Sequence, residues 1–367
     1  MDERRRMAWL VMSGEVSVSE AARAFGVSRP TVREWVRRAR ADGLEHLTER
    51  SRRPVHSPQA APAEVVDQVL GLAAMYEDWG ARKLWHLLGG PQAPVCSRTV
   101  DRILQRAGRR LHAPSSKQAP PLRFERETPN ELWQMDFKRL GPRRAVSIVL
   151  SVLDDASRFS LAVRRTPNET YASVWACLWE LFGEFGLPGA ILSDNGPAFR
   201  CNATWRFSRL DLDLMLLGVR SIHGRPYHPQ TQGKVERFHR SLQWELGRKV
   251  TAQTNLDEAL ETFRARYNWV RPHESQGMCT PGQLYMPSTR LRPSRLPEPF
   301  FPERAIVRRA DSSGYISFKG QRYDLGNAFA GRDAGIVQDE NGTFFLAWAG
   351  RILTPLSEFQ TGKDVLS

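Results

Sequence analysis

The sequence is poor in cysteine and has no long hydrophobic run. The four cysteines lie far apart and form no Cys-x-x-Cys pair: Cys96, Cys177, Cys201 and Cys279. This spacing argues against a disulfide framework and a zinc module, and it is typical of a reducing compartment. The eight histidines also lack the pairing of a metal site. No apolar segment approaches the roughly 20 residues of a membrane-spanning helix, and we find no signal peptide. We therefore expect a cytoplasmic protein that does not enter a membrane.

Acidic residues are also relatively few. The chain has 40 Asp and Glu against 53 Lys and Arg, which gives a net charge of +13 and a pI of about 10.1. Such a balance favours an anionic partner, of which nucleic acid is the first candidate. A merely Arg-rich composition is the alternative. With 367 residues, 41% of them hydrophobic, the chain can form several globular domains.

Residues 1–50 have the pattern of a DNA-binding helix-turn-helix domain. Segments 19–25 and 29–40 are predicted helices, and the turn GVS at 26–28 joins them. The predicted core of this domain comprises Ala21, Ala22, Phe25, Val27, Val32, Trp35 and Val36. The side chains that remain for contact with DNA are Arg29, Thr31, Arg33, Arg37 and Arg38. A helical hairpin with a solvated basic face is the alternative.

Two Pro-rich segments flank a second helical region. Residues 49–62 are predicted to form an exposed linker, in which Arg52 and Arg53 can follow DNA phosphates. Residues 62–112 contain three predicted helices, which form either a second helix-turn-helix-like domain or a helical spacer. Residues 113–130 form a basic Pro-rich linker.

The remaining chain predicts an α/β domain followed by a small β domain. Three successive strands, over 132–137, 145–155 and 159–165, precede alternating helices and strands. The later elements are helices near 168–186 and 203–217, strands at 190–193 and 219–223, and a helix from about 231. This order predicts a mixed sheet flanked by helices over 131–285, with 252–285 helical. Residues 305–357 alternate short β segments and turns, which predicts a small β-barrel.

Three carboxylates occupy positions that suit phosphoryl-transfer chemistry. Asp136 lies in the aromatic run WQMDF, and Asp194 follows the strand AILS. Glu236 lies on an amphipathic helix, where Arg237 and Arg240 flank it and are predicted to contact DNA phosphates. Carboxylate oxygens suit Mg²⁺, and two such ions about 4 Å apart can stabilise the attacking and leaving oxygens of a phosphodiester. Asp154 and Asp155 are competing acids, but their position before a Ser-Arg turn favours a hairpin role.

The motifs WQMDFK, LSDNGPAF and YHPQTQGKVERFHRSL resemble the three conserved blocks of DDE transposases and retroviral-type integrases. The whole arrangement, with GVSRPTV and ERSRRP before RFERETPNELWQMDFK, resembles the IS481 family of insertion-sequence transposases, which is close to the IS3 group. The resemblance covers nearly the whole chain. It implies N-terminal all-α helix-turn-helix modules, a central α/β RNase H-like integrase core and a C-terminal small β-barrel.

The resemblance also implies particular site residues and partners. It assigns the catalytic, metal-binding acids to Asp136, Asp194 and Glu236, which would hold two Mg²⁺ ions, with Mn²⁺ as a substitute. Residues near the site or in contact with DNA would be Asn195, Gly196, His228 and Lys234. One departure is that 41 residues lie between Asp194 and Glu236, more than is usual in the superfamily.

The expected activity is metal-dependent cleavage and strand transfer at the terminal inverted repeats of an insertion sequence. The partners would be double-stranded DNA of the element ends and the target, bound by a homodimer or higher multimer, and a bacterial, nucleoid-associated location would follow. Two alternatives remain open. One is a non-catalytic DNA-binding regulator, against which the presence of all three acids counts. The other is an RNase H-like nuclease without strand transfer, against which the helix-turn-helix region counts.

Overall fold

The computed structural model describes residues 2–48, 60–109, 125–141, 146–194, 196, 199, 207–224, 233–247 and 255–360. The chain divides into two compact units, Met1–Ala60 and Ala61–Ser367. The linkers predicted at 49–62 and 113–130 lie largely outside the described residues. The finer domain boundaries stay predictions.

Three helices form the first unit: α1 (Glu3–Met12), α2 (Val18–Ala24) and α3 (Arg29–Asp42). Ser17 begins α2 with a capping box to Glu20, and the Ser28 side chain caps α3, whose first turn contains Pro30. These caps satisfy backbone N–H groups that a helix start leaves unpaired. The two predicted helices are thus present, and the turn between them is that of a helix-turn-helix.

The core of the first unit differs in two respects from the sequence prediction. Helix α1 contributes Met7 and Ala8, which are buried against α2 and α3. Val27, predicted to be a core residue, is 36% exposed. Val27 lies in the turn between α2 and α3. The periodicity that directs apolar side chains of a helix towards the core does not apply to a residue in a turn.

The second unit begins with α4 (Ala63–Met75), α5 (Ala81–Leu87) and α6 (Ser97–Arg106). Their apolar faces enclose a core that includes Val69, Trp79 and Leu84, and Val270 from the following domain packs against it. A buried ion pair also joins the two regions, with 2.7 Å between Arg271 Nη1 and Asp78 Oδ2. The three predicted helices are present, and they dock on the domain that follows them.

A five-stranded mixed sheet forms the centre of the second unit. Its strands are β1 (Trp133–Leu140), β2 (Ser147–Asp154), β3 (Ser160–Thr166), β4 (Ala190–Ser193) and β5 (Arg220–His223). The spatial order is β3-β2-β1-β4-β5, in which the first three strands are antiparallel and β1, β4 and β5 are parallel. The register Gln134↔Leu192 places the carboxyl end of β4 beside the middle of β1.

Helices cover the sheet. Their bounds are α7 (Tyr171–Phe185), α8 (Arg209–Leu216), α9 (Gly233–Leu246), α10 (Leu256–Trp269) and the short α11 (Pro281–Leu284). Helix α7 packs with β1 and β2 in the main core, whereas α9 and α10 pack in a second core with β2 and β3. The prediction of continuous helix over 252–285 was wrong at 270–280. Pro272 cannot continue α10, and Gly277 and Met278 have positive φ angles.

The C-terminal β domain contains six short strands: β6 (Ile306–Arg309), β7 (Tyr315–Phe318), β8 (Gln321–Asp324), β9 (Asp333–Gln338), β10 (Phe344–Trp348) and β11 (Arg351–Pro355). They form a four-stranded sheet, in the order β11-β10-β9-β6, and the hairpin β7-β8. Both sheets pack around one hydrophobic core. The small β-barrel predicted over 305–357 is thus present as two small sheets around a shared core, and these sheets do not join into one closed barrel among the described residues.

Helix α8 belongs to two hydrophobic cores at once. Leu210 and Leu214 lie in the core of the central sheet, whereas Leu212 and Leu216 lie in that of the C-terminal β domain. Asp213, which lies between Leu212 and Leu214 on α8, is fully buried and accepts hydrogen bonds from Tyr171 and Arg332. The C-terminal β domain is thus fixed to the central domain through α8.

Within the described ranges, every helix is too short or too polar to cross a lipid bilayer.

Candidate active site

The two predicted aspartates line one cleft, where β4 ends beside the middle of β1. The parallel pairing Trp133↔Ile191 and Gln134↔Leu192 aligns these strands. Among the described residues this pairing stops at Gln134, because β4 ends at Ser193, whereas β1 continues to Leu140. Asp136 and Asp194 line a cleft of about 310 Å³. Ends of parallel strands are frequent ligand sites in such sheets, because the chain leaves each strand there.

A tight turn fixes the Asp194 carboxylate. Its Oδ1 accepts a hydrogen bond of 2.9 Å from the Gly196 backbone N–H. A Cβ atom at position 196 would lie only 2.9 Å from the same oxygen. Glycine therefore lets the backbone approach the carboxylate closely, as an Asx turn requires.

The carboxylates of Asp136, Asp194 and Glu169 repel one another in this cleft. Burial raises the pKa of the Asp194 carboxyl, and the charges of Asp136 and Glu169 raise it further, against the lowering effect of the hydrogen bond from Gly196. A bound divalent cation would remove this repulsion, and carboxylate oxygens are the ligands that Mg²⁺ prefers. Asp136 and Asp194 therefore fit a Mg²⁺ site.

Helix α9 approaches the cleft through His239. Its Nε2 lies 3.0 Å from Ser151 Oγ, and its Nδ1 lies 3.5 Å from Asp136 Oδ2. Ser151 is the cross-strand partner of Asp136 in the β1–β2 pair. The His239 side chain is buried. Helix α9 is therefore held against the strand that carries Asp136.

Glu236 lies one turn before His239 on α9, in the first turn of the helix, and its side chain is exposed. It is not among the residues that line the cleft. Within the described ranges, no three Asp, Glu, His or Cys side chains form a metal-binding cluster. The structure thus brings Asp136 and Asp194 together and places the helix of Glu236 beside them. The role of Glu236 as the third acid stays a prediction.

Asp154 and Asp155 have the hairpin role that the sequence favoured. The Asp154 carboxylate accepts hydrogen bonds from the backbone N–H groups of Asn130 and Ser157, at 2.7 and 2.8 Å. The Asp155 carboxylate accepts a 2.6 Å hydrogen bond from Gln134 Nε2. Both side chains are buried and hold the turn between β2 and β3 against neighbouring segments.

The cations predicted on α9 fall into two groups. Lys234 Nζ lies 2.6 Å from Asp155 Oδ2, and burial lowers the pKa of this ammonium. This ion pair gives Lys234 a partner within the protein, so its predicted DNA contact would require the pair to open. Arg237 and Arg240 are exposed, as DNA contact requires. The predicted residues Asn195 and His228 lie outside the described residues.

The predicted DNA-contacting face of α3 is only partly available. Arg29 and Arg33 are exposed, whereas Arg37 is exposed but forms an ion pair of 2.7 Å with Glu34. Thr31 Oγ1 lies 2.8 Å from Ser28 Oγ at the helix cap. Arg52 and Arg53 lie outside the described residues.

Arg38 does not belong to the exposed face. Its side chain is buried, donates a 2.6 Å hydrogen bond from Nη2 to the Thr48 carbonyl, and lies over the Trp35 ring. The prediction of Arg38 as a DNA contact from this position was wrong, because the helix turns it towards the chain that follows α3. Arg38 supports the domain that would carry the DNA-reading residues.

Three further charged residues, which the sequence did not single out, line the cleft: Lys138, Arg139 and Glu169. The two cations follow Asp136 on β1, so their sequence neighbourhood was a usable signal. Glu169 lies between β3 and α7, and nothing in its local sequence places it near Asp136. Glu169 reaches the cleft because β3, which precedes it, lies in the same sheet as the strand of Asp136.

Comparison with known families identifies the domains. Residues 126–229 and 217–281 each match a family described as integrase core domain. Residues 3–54 match a helix-turn-helix domain, and residues 31–104 match a homeodomain-like domain. The predicted combination of helix-turn-helix modules and an integrase core is thereby confirmed.

Individual relatives fall into two groups. The Insertion element IS476 uncharacterized 39.2 kDa protein of Xanthomonas euvesicatoria is 26% identical over 294 residues, which is 77% of each chain. The Gag-Pro-Pol polyprotein of Mason-Pfizer monkey virus is 36% identical over 114 residues, which is 31% of this chain and 6% of the polyprotein. The chain therefore spans only a small part of the viral relatives that it matches.

Among solved structures, a chain of the simian T-cell lymphotropic virus intasome in complex with PP2A regulatory subunit B56 gamma is similar at 19% identity, with a TM-score of 0.41. The match covers 78% of this chain and 99% of that one.

Proposed function

We propose that this integrase-core protein is a transposase that binds the terminal repeats of an insertion sequence and catalyses DNA cleavage and strand transfer. The observation that carries the proposal is the meeting of Asp136 and Asp194 in one cleft, in a chain that also contains helix-turn-helix domains. A relative of similar length is encoded by an insertion element, which fits the proposal. The cleft and the DNA-reading helix would divide catalysis and recognition between two parts of the chain.

The residues of the cleft have separate tasks in this reaction. Asp136 and Asp194 would hold divalent cations, two Mg²⁺ or Mn²⁺ ions, with Glu236 as the third ligand. Bound cations would activate the attacking hydroxyl and stabilise the leaving 3′ oxygen. The Gly196 N–H keeps the Asp194 carboxylate in place, and Ser151 holds His239 beside Asp136. Because these side chains are fixed before DNA arrives, little reorganisation is needed when the phosphodiester enters.

Recognition of the element ends would come from α3 and the basic surface. Exposed Arg29 and Arg33 in the first turns of α3 are placed as the base-reading residues of a recognition helix usually are. The net charge of +13 would add sequence-independent attraction to phosphates. Two DNA ends must meet for strand transfer, so we expect a dimer or larger assembly on DNA, in the bacterial cytoplasm.

A strand-transfer assay tests the proposal directly. The full-length protein is mixed with labelled duplexes taken from the DNA that flanks its own gene, together with a supercoiled target plasmid. We expect joined products in Mg²⁺ or Mn²⁺ and none in EDTA, while binding to the labelled ends persists in EDTA. Binding without cleavage in either metal would favour a regulator instead, and cleavage without joining would favour a nuclease.

The division of roles within α3 gives a second expected result. Arg33→Ala is expected to weaken binding to the element ends by about 1–3 kcal/mol, the usual value of a base-reading arginine, without changing the stability of the first unit. Arg38→Ala is expected to lower that stability by about 1–3 kcal/mol, because it removes the buried hydrogen bond to Thr48 and the packing on Trp35. Fluorescence anisotropy with end and scrambled duplexes measures the first effect, and thermal unfolding measures the second.

The two variants are controls for each other. Arg33→Ala should lose discrimination between end and scrambled duplexes, whereas Arg38→Ala should bind normally at temperatures where it is folded. If Arg33→Ala bound the ends as tightly as the wild type, the role of α3 in recognition would have to be abandoned.

A further inference from the structure

The cleft around Asp136 and Asp194 carries cations as well as acids. Lys138 and Arg139 lie on the part of β1 that extends past its pairing with β4, and both line the cleft with the two aspartates. A site that bound only metal ions would not need positive side chains at its edge, since these repel a divalent cation. Cations next to metal-binding acids are suited to an anion that reaches the same cleft.

Arg139 already has an anionic partner. Its Nε donates a hydrogen bond of 3.1 Å to Glu169 Oε1, and Glu169 lines the same cleft. The Arg139 side chain is 70% exposed and that of Glu169 is 29% exposed. An ion pair at such exposure contributes little to stability, so a phosphate with two or three available oxygens can replace the carboxylate.

Glu169 also acts on the centre of the cleft. Together with burial and the charge of Asp136, its charge raises the pKa of the Asp194 carboxyl. Three carboxylates therefore share this small space with two cations. A phosphodiester that enters the cleft is repelled by the negative charge of Glu169. It is attracted by the Arg139 guanidinium, to which it can bind in place of Glu169.

We propose that Lys138 and Arg139 form a binding edge for a DNA backbone phosphate beside Asp136, and that Glu169 occupies the Arg139 guanidinium until this phosphate replaces it. The inference rests on the proposed function, because it names how the same cleft receives its DNA. Lys138 and Arg139 contact the phosphate under this scheme, whereas Glu169 acts through Arg139 and sets how tightly DNA is held. Weakly bound anions therefore cannot displace Glu169 from Arg139, whereas a DNA backbone that other parts of the protein also bind can do so.

A double-mutant cycle tests the proposal in the full-length chain. Glu169→Gln, Arg139→Gln and the double variant are titrated with a labelled 30-base-pair duplex in EDTA, over a series of KCl concentrations, by fluorescence anisotropy. We expect Glu169→Gln to tighten binding about fivefold at low salt, since the Arg139 guanidinium then has no carboxylate partner that competes with the phosphate. Arg139→Gln should weaken binding and reduce the slope of log K against log salt by about 1. In the Arg139→Gln background, the gain from Glu169→Gln should largely disappear.

Matched controls separate this effect from a general change in charge. Glu261→Gln removes the same charge from an arginine-paired glutamate on α10, where Arg264 Nη2 lies 2.6 Å from Glu261 Oε1, and it should leave binding unchanged. Arg139→Lys keeps the charge and should retain the wild-type salt slope. Circular dichroism confirms that each variant is folded.

The outcomes distinguish this inference from the proposed function. If the wild type binds duplex DNA but Glu169→Gln gives no gain, or gives the same gain in both backgrounds, the inference is refuted and the transposase proposal stands. If the wild type binds no duplex at all, both are refuted. A gain that depends on Arg139 and is absent from Glu261→Gln supports the inference.

Discussion

Replacing Asp194 with asparagine is expected to lower strand transfer by at least about 10³-fold, because a lost metal ligand removes several kcal/mol of transition-state stabilisation. Asparagine keeps the shape of the side chain, and its carbonyl oxygen can still accept the hydrogen bond from Gly196. The fold and the DNA affinity should therefore be retained. Strand-transfer assays and anisotropy titrations, performed on the same preparation, separate the two quantities.

Asp136→Asn should give the same result, since Asp136 lines the same cleft and its charge raises the pKa of the Asp194 carboxyl. Asp257→Asn is a matched control, because Asp257 forms an exposed ion pair of 2.7 Å with Arg165 away from the two aspartates. Its activity should equal that of the wild type. More than a tenth of wild-type activity in either active-site variant would contradict the assignment of the cleft.

The Glu236→Gln variant tests whether Glu236, which does not line the cleft in the structure, is the third acid of the site. Loss of activity with intact DNA binding would mean that the exposed Glu236 reaches the two aspartates during the reaction, after a small movement of the α9 N-terminus. Full activity of Glu236→Gln, beside inactive aspartate variants, would remove Glu236 from the predicted triad. The contact between His239 and Asp136 limits how far the rest of α9 can move.

Arg332→Leu is expected to destabilise the C-terminal β domain by about 3–5 kcal/mol, because it leaves a buried carboxylate without its cation. Asp213 is fully buried, and its Oδ1 lies 2.6 Å from Arg332 Nη1. The Tyr171 hydroxyl donates a 2.5 Å hydrogen bond to Oδ2 but supplies no charge. Urea unfolding, with hydrogen exchange of the β9 and β10 amides, measures the loss.

Arg309→Leu provides the matched control for this effect. Arg309 and Asp333 form an ion pair of 3.2 Å in the same domain, but the two side chains are 70% and 44% exposed. Its removal should change the free energy of unfolding by less than about 1 kcal/mol. Replacing both Arg332 and Asp213 with leucine should be less harmful than Arg332→Leu alone, since no unpaired charge remains. A loss below about 1 kcal/mol for Arg332→Leu would refute the importance of this buried pair.

Local sequence was sufficient wherever periodicity or a motif determines the structure. The strand around Asp136 was predicted from an apolar and aromatic run, and the strand before Asp194 from a short apolar run followed by a turn, because these are local signals. Helix α3 of the first unit was predicted from its sequence, and Pro30 in its first turn fits the residue preferences of helix starts. Family motifs then connected these separate segments to one kind of core.

Burial of polar side chains could not be predicted in the same way. Arg38 and Arg33 lie on the same helix, and both are arginines in a basic stretch, yet one is buried and the other exposed. Lys234 precedes Glu236 closely, but its ammonium pairs with Asp155 from a distant hairpin. Charge and spacing along the chain do not specify which distant segment will cover a side chain.

The sequence by itself determined the helix-turn-helix and integrase-core character of the chain, the order of the central strands and two of the acids in the cleft, because these depend on periodicity, turns and motifs within short segments. The tertiary structure alone decided which charges meet. Sheet order placed Glu169 with Arg139 beside Asp136, and helix α8 joined Asp213 to Arg332. Such ion pairs form between segments that are far apart in the chain. The distance between their side chains depends on how the intervening helices and strands pack, and not on local sequence preferences.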